Sequence, residues 1–408
     1  SINFLKVLIM KKAFYMMAAA AIALSSCSSE ETTDVAKSSL ITLRPTVGLN
    51  SRGAEFTTKS LNSMWVSAFY QSNGTAYFED QRFDKEPNNN HSTFIPEAPQ
   101  YWQEGRTYKF VAIAPAKTDW PAGLTITKDK VSCDEFAPKA DIKDQKDLII
   151  TASDAGANKD QGHGVPLELK HILSQIQIKV KNSNKNLVYN IAGIRIKKVV
   201  NKNKFEYSTT TNQTVWGGTD AQTKGDYTWE FDEVVKLDGV TDVVNLTHKK
   251  VNEEGGAMLI PQTITSWDGK PAASSSNVND GAYISLLLNV KTKTGTSYMY
   301  PVNAQGENTY GWVAIPIPNT EWAEGNKYIY TLDMSTGCGK VDPVDPGKDV
   351  NPGGTVSPDK EKDPALGENV FGQVIRFQVS VKDWNTTDNG FEIDASTGKE
   401  PVKPGAKK

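Results

Sequence analysis

Short runs of alternating apolar and polar residues recur along most of this chain, and they constrain its fold more than any other feature. Tyr108 to Ile113, Ile176 to Val180 and Ile375 to Val381 have the two-residue period of β-strands. Turn-forming residues separate the runs, as at residues 71–74. The other predicted strands are Leu40–Leu43, Trp65–Tyr70, Ile194–Ile196, Ala282–Val290, Ser297–Val302 and Tyr328–Leu332. Because no long amphipathic helical pattern is evident, the sequence predicts an all-β fold.

The length of the chain favours two domains. Its 408 residues exceed the usual size of one domain, and 38% of them are hydrophobic, which is enough for a buried core. Many short strands at this spacing favour antiparallel β-sandwiches. A polar turn at residues 181–186 offers a boundary. We therefore expect an N-terminal β-sandwich over residues 40–180 and a C-terminal β-sandwich over residues 181–336.

The charge distribution argues against a nucleic-acid partner. The formal net charge is -3, and Lys and Arg are mixed with Asp and Glu along most of the length. Proteins that bind nucleic acid usually present a basic stripe or patch instead. No nucleic-acid partner is predicted.

The first thirty residues have the pattern of a lipoprotein signal. Lys11 and Lys12 precede an apolar run from Ala13 to Ala23, which is too short to span a bilayer comfortably. The run ends in Leu24-Ser25-Ser26-Cys27, the lipobox of bacterial lipoproteins, where the thiol of Cys27 can be acylated after cleavage. We expect residues 1–26 to be a signal peptide and residues 27–39 a flexible tether, so that the protein is anchored and not spanning. The alternative is a soluble secretory signal with a chance cysteine.

The C-terminal part contains a predicted linker followed by one isolated strand. Residues 337–369 are rich in Pro, Gly and Asp and have few large apolar residues, so we expect an extended linker. Residues 370–394 then form a candidate donor strand, with a polar tail at residues 395–408. Its apolar side chains alternate onto one side at Ile375, Phe377, Val379 and Val381. Because a lone strand needs a sheet, that sheet belongs to this molecule or to the next one.

No catalytic or metal-binding constellation is evident, so we predict neither an enzyme nor a cofactor. The four histidines lack metal spacing, and His171 has the context of a structural histidine. Motifs of serine hydrolases, P-loops and dinucleotide sites are missing from the sequence. A carboxylate pair for glycoside hydrolysis is compatible with the composition, but nothing singles one out. Cys133 and Cys338 form either one disulfide or two unrelated thiols.

The nine tryptophans allow a second function class. Exposed indole rings stack on sugars in carbohydrate-binding modules, although most tryptophans in strand-rich chains pack in the core. A monomeric surface lipoprotein that binds glycans is therefore the alternative to a structural subunit.

Several runs, in this order, resemble the bacterial fimbrillin-like (Mfa-like) family, the subunits and adhesins of type V pili. They begin with the lipobox and with Arg52-Gly53. The later runs are Leu61–Val66, Tyr101–Ala112, Asp147–Ala152, Val165–Ile176, Leu259–Gln262, Trp322–Tyr330 and Val379–Trp384. Each run is weak by itself, but their order extends across nearly the whole mature chain.

This resemblance implies two transthyretin-like β-sandwich domains, no enzymatic activity and export as an acylated outer-membrane lipoprotein of the fimbrium. It also implies other pilus subunits as partners, adhesion to surface glycans or proteins, and an arginine-specific protease. In pilus-forming members that protease removes the first strand. Arg44 precedes Pro45, which usually blocks such proteases, so the predicted cleavage lies between Arg52 and Gly53.

Strand exchange explains what such cleavage achieves. Loss of the apolar residues at 40–49 would uncover a groove that a neighbour's strand refills. The candidate donor is the segment from Val374 to Lys382 on the 337–367 linker, whose reach is about 30 Å. The alternative is that this strand folds back into its own second domain. A removable first strand and a spare last strand favour a stalk subunit over a tip subunit.

Overall fold

β-Strands form almost all the regular structure of this chain in the computed structural model, which confirms the all-β prediction. Among the described residues, the helical segments are three short 3₁₀ turns at Lys117–Asp119, Ile142–Asp144 and Thr219–Ala221. The two transthyretin-like domains stay a prediction. The structure describes residues 39–48, 59–87, 93–156, 164–239, 243–247, 255–295, 297–302, 304, 308–347, 362–373, 375–383 and 391–394.

The strands in chain order are β1 Leu43–Val47, β2 Ser63–Tyr70, β3 Ala76–Lys85, β4 Phe94–Pro96, β5 Thr107–Ala114, β6 Thr125–Ile126, β7 Lys130–Phe136, β8 Ile149–Gly156, β9 Val165–His171, β10 Ser174–Lys181, β11 Leu187–Ser208 and β12 Gln213–Trp216. They continue with β13 Thr223–Leu237, β14 Val244–Asn245, β15 Ala257–Leu259, β16 Gln262–Ile264, β17 Tyr283–Thr292, β18 Tyr298–Tyr300, β19 Gly311–Pro316, β20 Thr320–Trp322, β21 Asn326–Asp333, β22 Lys340–Val341, β23 Arg376–Asp383 and β24 Phe391–Asp394.

Seven of the first nine described strands close into a barrel in the order β1-β4-β3-β2-β5-β8-β9. Neighbours in the ring run antiparallel, except that β1 and β9 run parallel. That parallel contact closes the ring between the first and the last of its strands, so the barrel has no free edge. Its apolar side chains, among them Met64, Phe110 and Leu167, form one buried cluster.

The remaining strands form two larger sheets and a short pair. One sheet has the order β14-β10-β21-β23-β24, with β15 also on β10. The other has the order β22-β19-β17-β11-β7-β6, and β16 pairs with β20. A second apolar cluster contains side chains from both large sheets, including Ile178, Leu286 and Tyr330.

β11 is much longer than the alternation of residues predicts. The alternation predicts only Ile194–Ile196, whereas the strand runs from Leu187 to Ser208. Most of its first half is buried on both faces, so the two-residue period disappears there. Register shifts, such as the one between Ile191 and Gly193, interrupt the period further.

Most of the other predicted strands are confirmed within a few residues, and the first one is shifted. The predicted run Leu40–Leu43 becomes a strand only at Leu43, and Leu40 makes an isolated bridge to Tyr101. The turn at residues 181–186 separates β10 from β11, as expected. However, β10, at the end of the first predicted domain, pairs along its length with β21. The division into two domains stays a prediction.

Candidate functional site

β1 lies between two strands of the barrel and completes its hydrogen-bonded ring. It is parallel to β9 over five residue pairs, from Leu43 opposite Val165 to Val47 opposite Leu169. On its other side Leu43 pairs with Phe94 of β4. The amide of Val165 donates to the carbonyl of Thr42 at 2.9 Å. Removal of β1 would therefore leave backbone groups of β9 and β4 without partners.

The inward face of β1 is apolar, and its outward face is polar. Ile41, Leu43 and Val47 are 0%, 0% and 2% exposed and belong to the barrel core. Arg44 and Thr46 point outward and are exposed. Burying three such side chains stabilises the fold by roughly 5 to 9 kcal/mol before the costs of ordering the chain. Loss of β1 would therefore open an apolar groove as well as a strand edge.

An open cleft of about 660 Å³ lies along the outer face of this region. Its lining is polar and carries both signs of charge, with Arg44 from β1 and Glu168 and Lys170 from β9. Asn212, also in the lining, is engaged by the backbone of Ala152: that amide donates to its Oδ1, and its Nδ2 donates to that carbonyl, both at 3.0 Å. The cleft therefore lies between packed strands.

The predicted processing residues lie outside the described residues: Cys27, Arg52 and Gly53. Four of the arginines that the structure describes are within strands: Arg44, Arg82, Arg195 and Arg376. Arg106 is the exception, because it is exposed in a turn that ends where β5 begins. Proteases cut preferentially in exposed turns and loops, so Arg106 is the described arginine that competes best with Arg52.

The candidate donor strand lies in the sheet of its own chain. β23 pairs with β21 over eight residues, from Asp333 opposite Arg376 to Asn326 opposite Asp383. Ile375, Val379 and Val381 are buried in the second core, and Phe377 occupies a position of the strand opposite Leu332. This placement corresponds to the fold-back alternative for the single chain. Donation to a neighbour stays a prediction.

Both ends of the predicted 337–369 linker carry structure. Residues 337–341 run antiparallel to residues 367–373, with the amide of Val341 donating to the carbonyl of Glu368 at 2.9 Å and the amide of Val370 to that of Gly339 at 3.1 Å. Cys338 and Val341 are fully buried in the second core. The middle of the predicted linker, residues 348–361, lies outside the described residues.

A buried acidic turn fixes the chain after β22, and little in the local sequence indicates it. Asp342 is fully buried and accepts hydrogen bonds from the hydroxyls of Tyr283 at 3.1 Å and Ser285 at 2.7 Å. The buried ammonium of Lys197 contacts Asp345 at 2.7 Å. The Asp-Pro composition of this segment predicts an extended linker. The cation that holds the segment lies on β11, more than a hundred residues earlier, so the local sequence does not indicate the contact.

An arginine next to this turn is also buried. The guanidinium of Arg195 stacks 3.7 Å from the ring centre of Trp312. Burial lowers its pKa, and the nearby carboxylates of Asp342 and Asp345 oppose that shift. Together the acidic turn and the cations of β11 attach residues 342–345 to the second sheet.

The described tryptophan side chains are buried or half-buried, and none is fully exposed. Of those that the structure describes, five are buried: Trp102, Trp229, Trp267, Trp312 and Trp322. Trp65, Trp120 and Trp216 are half-buried, and Trp384 lies outside the described residues. The core-packing interpretation therefore fits most of them.

The histidine and the two cysteines that the structure describes have the surroundings of structural residues. His171 is buried, and its Nδ1 lies 2.5 Å from Oδ2 of the buried Asp147, as expected for a structural histidine. Cys133 and Cys338 are both buried and not bonded to each other, so the alternative of two unrelated thiols holds. In the described ranges, no cluster of His, Cys, Asp and Glu is placed to bind a metal ion. No helix among the same residues is long and apolar enough to cross a membrane.

Comparison with known proteins gives one family. A model of the fimbrillin-like family matches residues 52–357. The structure resembles a fimbrial protein from Bacteroides vulgatus, with 14% identity, a TM-score of 0.46 and coverage of 72% of this chain and 95% of that chain. It also resembles a protein from Bacteroides uniformis, provisionally described as a cell adhesion protein, with 10% identity, a TM-score of 0.43 and coverage of 85% and 99%. No curated protein gives a significant match. Because both TM-scores lie below 0.5, the family assignment rests on the family model.

Proposed function

This chain belongs to the fimbrillin-like family, and from that membership we propose that it is a structural subunit, in the stalk, of a type V-like fimbria that serves adhesion. Its partners are then other fimbrial subunits, including copies of itself. The observation that carries the proposal is β1, a short strand, the first that the structure describes, whose apolar face fills the barrel and whose outer face is polar.

The predicted cleavage position suits the release of β1. β1 ends at Val47 and β2 begins at Ser63, so a cut between Arg52 and Gly53 falls between the two strands. It would free the whole of β1 and leave β2 intact. The groove left behind needs an apolar, alternating strand with free backbone groups, and a strand from a neighbouring subunit supplies both. The C-terminal residues 370–394 are the proposed source.

We also propose the export route that the N-terminal sequence indicates. Residues 1–26 direct secretion, Cys27 is acylated with a palmitate-type chain, and the lipid anchors the precursor in the outer membrane. Anchored precursors are held at the surface until the protease acts, which couples removal of β1 to the place of assembly. The fimbrium at the cell surface is the proposed final location.

The test is to treat the purified protein with an arginine-specific protease. We expect SDS-resistant ladders, and we expect N-terminal sequencing of the polymer to begin at Gly53. Arg52→Lys keeps the positive charge but removes the cleavage site, so this control should remain a single unit. Arg106→Lys removes the competing exposed arginine and should polymerise normally. A cleaved protein that stays monomeric at high concentration would contradict the proposal.

Glycan binding by a monomeric lipoprotein is the other function that the sequence allowed. Among the described tryptophans, ring surface remains available at the half-buried Trp65, Trp120 and Trp216. Trp120 donates its indole N–H to the carbonyl of Pro115, and Trp216 packs on Phe136, so both rings have structural roles. We therefore rank this function second; a glycan array with alanine variants of these residues would support it if binding were lost.

A further inference from the structure

Lys197 carries a buried amine in the middle of β11. Its side chain is 1% exposed, and its Nζ lies 5.7 Å from the ring centre of Tyr283. Two carboxylates face this nitrogen, Oδ2 of Asp345 at 2.7 Å and Oδ2 of Asp226 at 3.7 Å. A nitrogen that becomes a nucleophile when it loses a proton and two carboxyl groups therefore meet where solvent hardly reaches the nitrogen.

A β-bulge sets the direction of two of these three groups. Lys197 and Lys198 of β11 lie opposite one residue of β13, Asp226, because the register shifts at this point. Lys198 has a φ of 62°, which residues other than glycine rarely adopt. Its amide donates to Oδ1 of Asp226 at 3.1 Å, so that Oδ2 of the same carboxylate is the oxygen near the amine of Lys197.

The chain on both sides of Asp345 is fixed by hydrogen bonds. The amide of Asp345 donates to Oδ1 of the fully buried Asp342 at 3.0 Å. The next residue, Pro346, accepts a hydrogen bond at its carbonyl from the amide of Trp312 at 2.9 Å. Reacting groups held together in this way behave as if their concentration were on the order of 10⁵ to 10⁸ M. The fold therefore holds the carboxyl of Asp345 against the amine of Lys197.

From this arrangement we propose that Lys197 and Asp345 condense to an isopeptide bond, with Asp226 as the group that moves the proton. The ammonium of Lys197 gives one proton to the carboxylate of Asp345, and the neutral amine attacks Cγ of that carboxyl group. Asp226 takes a second proton from the nitrogen and passes it to the leaving hydroxyl. A C–N bond forms, a C–O bond breaks and one water leaves, so the step needs no oxidant or reductant.

The surroundings of the pair favour the neutral product. An enclosed ion pair keeps two charges away from water, at a cost in free energy that a neutral amide does not incur. Tyr283 encloses the nitrogen of Lys197, whereas the side chain of Asp345 is 30% exposed, so the released water has a path to solvent. The bond forms within one folded copy, so this inference goes beyond the proposed function and does not depend on assembly.

Tryptic peptide mapping of the purified full chain tests the proposal. Trypsin does not cut after a lysine whose amine is acylated, so the bond should give a branched peptide of residues 196–198 and 341–348. Its mass should be about 18 Da, one water, below the sum of the two linear peptides. The same chain incubated in urea should give no branched peptide, because unfolding separates the groups.

The chain contains a matched ion pair as an internal control. Lys130 and Glu206 are also 2.7 Å apart, but their side chains are 47% and 56% exposed. This pair should stay unlinked in the same digest, because water surrounds both groups. Equal linkage of the two pairs would overturn the role given to burial.

Three substitutions assign the parts. K197R removes the amine and D345A removes the carboxyl, so neither protein should yield the branched peptide. D226N keeps the oxygen that accepts from Lys198 but cannot take a proton. It should keep the circular dichroism of the wild type and form at least tenfold less branched peptide in the same time. The proposal is overturned if the folded wild type gives only linear peptides after prolonged incubation, or if D226N forms the bond as fast as the wild type.

Discussion

Glu324 is a half-buried carboxyl that joins two distant parts of the chain. It lies between β20 and β21, and the hydroxyl of Thr214 in β12 donates to its Oε1 at 3.0 Å. Burial raises the pKa of Glu324 to about 7, and the hydrogen bond from Thr214 and the charge of Lys170 oppose this shift. The folded protein therefore binds the proton of Glu324 more tightly than the unfolded chain does.

The sign of the resulting pH dependence follows from linkage. A raised folded pKa contributes stability that is complete below the unfolded pKa of 4.5 and is lost as the pH rises through about 7. Glu324→Gln removes this titration, so the variant should gain about 2 to 3 kcal/mol relative to the wild type between pH 4 and pH 8. Urea unfolding of both proteins at each pH measures the difference. A difference that stays constant over this range would show that the carboxyl does not titrate there.

At the scale of the element, β1 combines strong burial with short length. Its five residues give few backbone contacts, so its attachment depends on the inward side chains. Leu43 is the centre of this contact, because it is fully buried and pairs with both neighbouring strands. An element of this kind is stable in the closed ring but can be replaced by another strand with the same pattern.

Truncation of Leu43 tests this account of β1. Leu43→Ala should lower the free energy of unfolding by about 2 to 4 kcal/mol, because it leaves a cavity in the barrel core. Arg44→Ala, one residue away on the exposed face, should cost less than about 1 kcal/mol. Urea titration of the uncleaved proteins measures both. Equal effects of the two substitutions would contradict the inward and outward assignment of this strand.

For the whole molecule, two similar arrangements recur. β1 has an antiparallel neighbour, β4, and a parallel neighbour, β9, and β10 likewise has antiparallel neighbours, β14 and β15, and a parallel neighbour, β21. Each arrangement has its own apolar cluster, and a third cluster contains residues from both parts, such as Val111 and Met258. We therefore expect the loss of β1 to act mainly on the barrel.

Hydrogen exchange of the cleaved protein measures how far this effect extends. Under conditions that prevent polymerisation, such as high dilution, amides of β4 and β9 should lose at least tenfold of their protection. Amides of β17, at the centre of the second large sheet, should keep theirs. Loss of protection in β17 as well would show that both parts unfold as one cooperative unit, which would argue against the predicted division into two domains.

The alternation of residues was sufficient to predict an all-β chain and the positions of some strands, such as β2, β5 and β21, because a strand with one buried face has a period that the sequence displays directly. It failed where both faces are buried, as along β11, and in the segment after β22, where Asp342 and Lys197 need partners from distant strands. Of the candidate site, the apolar character of β1 and the alternating β23 were predicted, whereas the strands with which they pair were not.

By itself the sequence determined the all-β class, the positions of strands such as β2 and β5, and which arginine lies before Gly53. The tertiary structure decided that β1 closes a barrel against β9, that β23 is built into its own sheet and that β24 lies at the margin. These properties depend on which strands pair, and pairing is decided by contacts between residues far apart in the chain, which a local two-residue period does not encode.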